Sequence, residues 1–207
     1  MNRNYFFNVL IIIISAMVIT SCNSDQGKSM DSKTAIDIIH KRTSIRSFHD
    51  RKVSKEQLET IVRAGMAAPT AMNKQPWMFI VIEDKEVLQA LGKDIPTSKM
   101  VQQAPAAIIV CGDMKKAGEG WLQQYWIQDC SVASQNILLA ITDLGGLGGV
   151  WTSVYPAENR MKIVSEILHL PEHLIPLNII PVGYPAENKS PMDKWKPENV
   201  HWGGVFE

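Results

Sequence analysis

Apolar positions along this chain repeat in two rhythms, one helical and one extended. Between Ser32 and Arg42, the residues Ala35, Ile36 and Ile39 recur at helical spacing. Ser54 followed by Gln57 has the form of a capping box. Leu58, Ile61, Val62 and Gly65 then mark one face of a second helix, which Pro69 stops. The compact apolar run from Trp77 to Ile82 predicts a strand, and Asp84 opens a short helix carrying Val87, Leu88 and Leu91. Pro105 to Gly112 is nearly all apolar, the pattern of a strand central in a sheet. The longest element, from about Trp121 to Leu144, is apolar almost all round, which predicts a helix buried at the heart of the protein or in a subunit interface. Gly145 to Gly149 terminates it. Val150 to Tyr155 then reads as a third strand, Ala157 to Leu168 as an amphipathic helix, and Leu177 to Tyr184 as a fourth strand. The tail from Pro185 is rich in Pro, Lys and Trp and has no strong period. No internal repeat appears, and the alternation of strands and helices predicts an α/β or α+β class with helices covering a sheet.

The first thirty residues do not share this organisation. Arg3 precedes the apolar run Val9 to Ile19, which is shorter than the roughly 20 residues a spanning helix needs and has the length of a signal-peptide core. It ends in Ile19-Thr20-Ser21-Cys22, which resembles a bacterial lipobox, whose cysteine is lipidated and becomes the new N-terminus. The polar stretch Asn23 to Asp31 reads as a flexible tether. The chain therefore divides into a lipoprotein signal peptide (1–21), a tether (22–31) and one folded domain (32–207). The expected location is the cell envelope, with Cys22 anchored by lipid on the outer side of the inner membrane or to the outer membrane. A plain secretory signal with an incidental Cys22 is the competing account.

Composition narrows the function. Forty-five per cent of the 207 residues are hydrophobic, enough for the core of one domain, and 21 basic residues balance 21 acidic ones. A nucleic-acid partner would call for a basic excess or stripe, which is absent. The remaining cysteines, Cys111 and Cys130, lie in an apolar run and on a predicted helix, and they read as buried small hydrophobes. The five histidines are scattered singly, so no zinc spacing is present and no metal is expected.

Three segments carry candidate chemistry. Arg42-Thr43-Ser44-Ile45-Arg46 follows the first helix, and its two guanidiniums and two hydroxyls could converge on one phosphate. Taken alone, it reads more readily as a solvated basic turn. In Pro69-Thr70-Ala71-Met72-Asn73-Lys74-Gln75-Pro76 two prolines fix bends, and small residues let a flat ligand approach the backbone. Gly145 to Gly149 and Trp151-Thr152-Ser153 form the third. These glycines follow a helix and precede a strand, the reverse of the dinucleotide fingerprint.

In register, these segments resemble the FMN-dependent nitroreductase family over nearly the whole mature chain, together with Gln135 to Ala140 and the closing Asp193-Lys194-Trp195…Val200-His201-Trp202. The resemblance implies an α+β fold, a three-layer sandwich with a mixed sheet flanked by helices, in an intertwined homodimer with FMN at the subunit interface. Arg42, Ser44 and Arg46 match the grip on phosphate and ribityl chain, with Thr43 among them. Pro69, Thr70, Ala71 and Asn73 match a loop that reaches the flavin from the opposite subunit. Trp151, Thr152 and Ser153 match the segment whose backbone faces the flavin N5 edge, and Lys194 a basic residue near the phosphate. Two departures stand out. Family members commonly have Arg in place of Lys194 and a second basic residue where this chain has Met192, so a looser phosphate grip is expected.

The implied activity passes electrons from NAD(P)H through FMN to a small acceptor such as a nitroaromatic or a quinone. The flavin carries the redox chemistry, so no side chain is assigned as catalytic. Arg46 is the best placed donor to stabilise the anionic reduced ring. Trp121, Tyr125 and Trp126 could wall the acceptor pocket or pack an interface. A flavin-dependent reductive dehalogenase would use hydroxyls beside N5, as Thr152 and Ser153 could supply, but the 113–120 segment is short for the added lid of such enzymes. A non-catalytic flavin-binding lipoprotein is the alternative of a different class.

Overall fold

The computed structural model describes residues 34–205. The expected signal peptide, Cys22 and the tether lie outside them. The first helix, α1, spans Ala35–Lys41. Helix α2 spans Lys55–Met66, and its capping box forms as the sequence predicts. Ser54 Oγ accepts from Gln57 N, while the Gln57 side chain accepts from Ser54 N. A 3₁₀ turn at Ala71–Asn73 leads to strand β1, Trp77–Ile82. Helix α3, Lys85–Asp94, opens on Asp84, whose carboxylate accepts from the N–H groups of Glu86 and Val87. A 3₁₀ segment, Pro96–Gln103, precedes strand β2, Ala106–Asp113, and a second, Gly120–Tyr125, precedes helix α4, Trp126–Asp143. The two-residue strands β3 (Gly148–Gly149) and β4 (Thr152–Ser153), helix α5 (Glu158–Leu168) and strand β5 (Leu174–Gly183) complete the body.

The sheet runs β1-β2-β5-β3, with β4 also on β5, and every strand pair is antiparallel. Among the described residues the parallel component of the expected mixed sheet is one bridge, between Ser44 and Gly149. Strand β2 is buried along its whole length, as the apolar run up to its last residue, Asp113, requires. Its side chains alternate between two cores. Ala106, Ile108 and Val110 meet Leu58 and Ile61 of α2 and Ala133, Ile137 and Ile141 of α4. Ala107, Ile109 and Cys111 meet Leu88 and Leu91 of α3 and Val164 of α5. Helices thus cover both faces, and the fold is an α+β three-layer sandwich.

Two expected elements change shape. The predicted strand over 150–155 is two short pieces interrupted at Val150 and Trp151, and the ladder begins earlier, at Gly148. Gly149 can pair there because it lacks a side chain, since a Cβ would lie 2.9 Å from Pro181 O. The long helix starts at Trp126 rather than Trp121, behind Gly118 and Gly120 with φ of 87° and 57°. Its buried face carries Cys130, Ala133, Ile137 and Ile141, while Val132 is exposed, so one side remains open. Cys111 and Cys130 are free, buried thiols. Burial pushes Cys111 up to about 12 and raises Cys130 as well. Neither is a reactive thiolate, in keeping with their reading as small hydrophobes.

Candidate functional site

The turn that leaves α1 is held to the sheet on two sides. Ile45 N donates to Gly149 O at 3.1 Å, and the Glu187 carboxylate accepts from the N–H groups of Arg46 and Ser47. Ile45 and Phe48 are buried beneath it, so the side chains on either side of Ile45, Ser44 and Arg46, are turned away from the core. They line an open cavity of about 870 Å³ together with Arg42, Thr43, Trp151 and Lys194. Six residues from three separate segments are therefore gathered in one place, as the sequence motifs suggest.

Charge decides what this cavity suits. Arg42, Arg46, Lys189 and Lys194 all line it, and among the described residues none of the four forms an ion pair. The one carboxylate on its wall, Asp193, accepts from Trp195 N at 2.9 Å. Unneutralised cations on a concave wall make an anion site, and guanidiniums match a phosphate in shape as well as charge. Trp151 and Leu138 supply apolar surface for a planar group, and Gln135 adds an amide. This donor set fits FMN, a phosphate ester carrying a flat ring.

No site role follows from the sequence for Lys189 or Ser190, nor for Gln135 and Leu138, although the latter two lie in the Gln135 to Ala140 motif. Gln135 and Leu138 project from α4 three residues apart, and that spacing alone was a usable signal. Lys189 had none beyond its charge. It is brought in by the chain near Ser190, whose carbonyl oxygen accepts from Thr43 Oγ1 at 3.4 Å. The second cation beside Lys194 is thus Lys189, although Met192 also reaches the cavity.

The remaining candidates lie elsewhere. Thr152 is buried and its hydroxyl donates to Met100 Sδ at 3.8 Å, while Ser153 Oγ accepts from Trp151 Nε1 at 3.0 Å. Both hydroxyls are engaged within the chain. Pro69, Thr70, Ala71 and Asn73 do not line the cavity of their own chain.

Comparison with known proteins settles the family. The model of the nitroreductase family matches residues 39–98 and 92–184. A protein of Methanothermobacter thermautotrophicus, provisionally an NADH dehydrogenase/NAD(P)H nitroreductase, is 44% identical over 166 residues, 80% of this chain and 85% of its own. A crystal structure from Parabacteroides distasonis, provisionally of the same activity, superposes with a TM-score of 0.78 at 42% identity, covering 83% of this chain and 98% of that one. An FMN-dependent nitroreductase of Clostridium difficile gives 0.75 at 31% identity, covering 82% and 99%.

The chain belongs to the nitroreductase family.

Within this nitroreductase-family fold the aromatic trio divides. Trp126 is buried and packs edge-on against Tyr155 with ring centroids 5.0 Å apart, so it belongs to the core. Trp121 and Tyr125 stay exposed and pair edge-on at 5.9 Å.

Proposed function

We infer that this chain is an FMN-dependent oxidoreductase of the nitroreductase type, using NAD(P)H to reduce a small aromatic acceptor. The observation that carries this is the cavity where Arg42, Arg46, Lys189 and Lys194 stand without ion pairs beside Trp151. In this reading the four cations and Ser44 hold the phosphate end, and Trp151 flanks the ring. When bound, FMN supplies the redox chemistry, taking electrons from reduced nicotinamide and yielding them to the acceptor. The chain's own task is to bind, orient and shield, and no acid or base is assigned. The dehalogenase alternative keeps only Ser153 as a hydroxyl donor, because Thr152 is buried and donates to Met100 while Ser153 Oγ merely accepts from Trp151.

The working unit we propose is a homodimer. Asn73 and its loop lie outside the cavity of their own chain, so the matched site is complete only if a second copy supplies them. Purified protein is expected to be yellow, with about one FMN per chain, and to oxidise NADH or NADPH when a quinone or nitroaromatic is added. Bound flavin without oxidation of either nicotinamide would instead support the non-catalytic flavin-binding lipoprotein.

We also propose an envelope location, which rests on the sequence around Cys22. A single acyl chain holds a protein to a membrane only weakly, at about 10⁴ M⁻¹, so stable attachment requires more than one. Cys22→Ser is expected to abolish labelling by a lipid precursor and to shift the protein out of the membrane fraction. Unchanged membrane fractionation of that variant would place the anchor elsewhere.

A further inference from the structure

The segment joining α2 to β1 is exposed yet strained. Met72, Asn73 and Gln75 have φ of 49°, 55° and 48°, the left-handed region that L side chains enter only when their surroundings fix them. Core packing is not what fixes them, because Met72, Asn73, Lys74 and Gln75 all face solvent. Hydrogen bonds do. Within the loop, Thr70 Oγ1 accepts from Gln75 N at 3.1 Å, and Thr70 O accepts from Asn73 N at 3.1 Å. At its far end Pro76 O accepts from Asp113 N at 2.7 Å. At its near end Ala71 N donates to Asp129 Oδ1 at 2.9 Å, across 58 positions of sequence.

Asp129 is an unusual residue for that place. It sits in the first turn of α4, only 6% exposed, and among the described residues it has no cationic partner. Burial pushes its carboxyl pKa up, and the Ala71 N–H opposes the shift. A buried carboxylate without a counter-ion is costly, and the Ala71 N–H is the group it visibly serves. The loop it anchors also has its amide orientation set. Gln75 Nε2 donates to Asn73 Oδ1 at 2.9 Å, which leaves the Asn73 Nδ2 donors without a partner among the described residues.

We propose that Asp129 is a positioning residue of the flavin site, holding the 70–75 loop through the Ala71 N–H so that Asn73 is presented to FMN bound by a second copy of the chain. The inference rests on the flavin-binding dimer proposed above. Pre-set loops of this kind improve binding because the ordering cost is met before the ligand arrives. Asp129 never touches the flavin, and its influence passes through Asn73 alone.

The test is FMN titration of the purified full chain, followed by quenching of flavin fluorescence, with Asp129→Ala, Asp129→Asn, Asn73→Ala and the double variant Asn73→Ala/Asp129→Ala. Asp129→Ala is expected to weaken FMN binding about 10- to 100-fold, the range for losing a hydrogen bond to a charged group. Asp129→Asn keeps an oxygen that accepts from Ala71 N and should stay within about threefold of the parent, a rescue that general damage to α4 would not give. The double variant should bind about as weakly as Asn73→Ala alone, since without the Asn73 side chain Asp129 has nothing left to position. Should Asp129→Ala fail to fold, Ala71→Pro removes the donor instead. Proline suits the first position of the 3₁₀ turn, and Thr70 before it is already extended at ψ 155°. The same loss is expected from it. Parental affinity in a folded Asp129→Ala or Ala71→Pro, strict additivity with Asn73→Ala, or a loss in Asp129→Asn equal to that in Asp129→Ala would each overturn the role. A parent protein that binds no FMN would overturn the flavin reading itself, and this inference with it.

Discussion

Arg46→Ala is expected to weaken FMN binding by about 1.5–3 kcal/mol, the usual loss when a charge-assisted hydrogen bond is removed. The guanidinium lines the cavity and has no ion pair among the described residues, so its removal breaks no internal ion pair. The backbone at this position is held independently, because the Glu187 carboxylate accepts from the N–H groups of Arg46 and Ser47. Truncation should therefore report on the side chain and leave the turn in place. Arg46→Lys should recover part of the loss, since it restores charge without the planar fork. The parent should also bind more weakly at high salt than at low salt, by a larger factor than Arg46→Ala, because one of the screened charges is missing in the variant. Equal affinity of parent and Arg46→Ala in equilibrium titrations would remove Arg46 from the phosphate grip.

What the sequence made legible follows from how locally each feature is determined. The capping box of α2, the Asp84 cap of α3 and the nearly all-apolar β2 are written in adjacent residues, and each forms where expected. The split of the predicted strand over 150–155 was not legible, because it depends on a glycine fitting against Pro181, a contact more than thirty residues away. The start of α4 was blurred for a related reason. Trp121 and Tyr125 continue the helical spacing, but left-handed Gly118 and Gly120 lead into a 3₁₀ segment instead. In the site, Arg42, Ser44, Arg46, Trp151 and Lys194 were recognisable because they sit in motifs. Lys189 was not, since only the folded tail brings it to the others. The internal partners of Thr152 and Ser153 were equally hidden in the sequence, since Met100 lies more than fifty residues from Thr152, and only the fold shows Thr152 donating to it and Ser153 accepting from Trp151. Asp129 was invisible as a functional residue, because nothing in a helix pattern reveals a hydrogen bond across 58 positions.

Gly148→Ala is expected to damage stability and cofactor binding together. Gly148 is buried in β3, and a Cβ built there would lie 2.6 Å from Ile45 Cγ1, 2.8 Å from Ile45 Cβ and 3.0 Å from Pro185 Cγ. The Cβ of Ile45 is fixed to its backbone and cannot swing aside as a side-chain tip would. Relief therefore requires moving the backbone of residue 45, which is bonded to Gly149 O through its N–H and flanked by Ser44 and Arg46. Overpacking of a tight interior contact typically costs about 1–3 kcal/mol. For a domain of this size that corresponds to a fall in Tm of roughly 2–12 °C. The same displacement shifts the hydroxyl of Ser44 and the guanidinium of Arg46 away from the other cations, so FMN affinity should fall even at temperatures where the variant is fully folded. Gly204→Ala is the control. An added Cβ there meets nothing within 4 Å, so neither Tm nor FMN affinity should change measurably. Thermal melts and FMN titrations at low temperature separate the two effects. A Gly148→Ala protein that loses stability but keeps parental FMN affinity would show that Ile45 absorbs the added methyl without moving its neighbours, and that the Arg42–Arg46 turn is not held in place by the β3 contact.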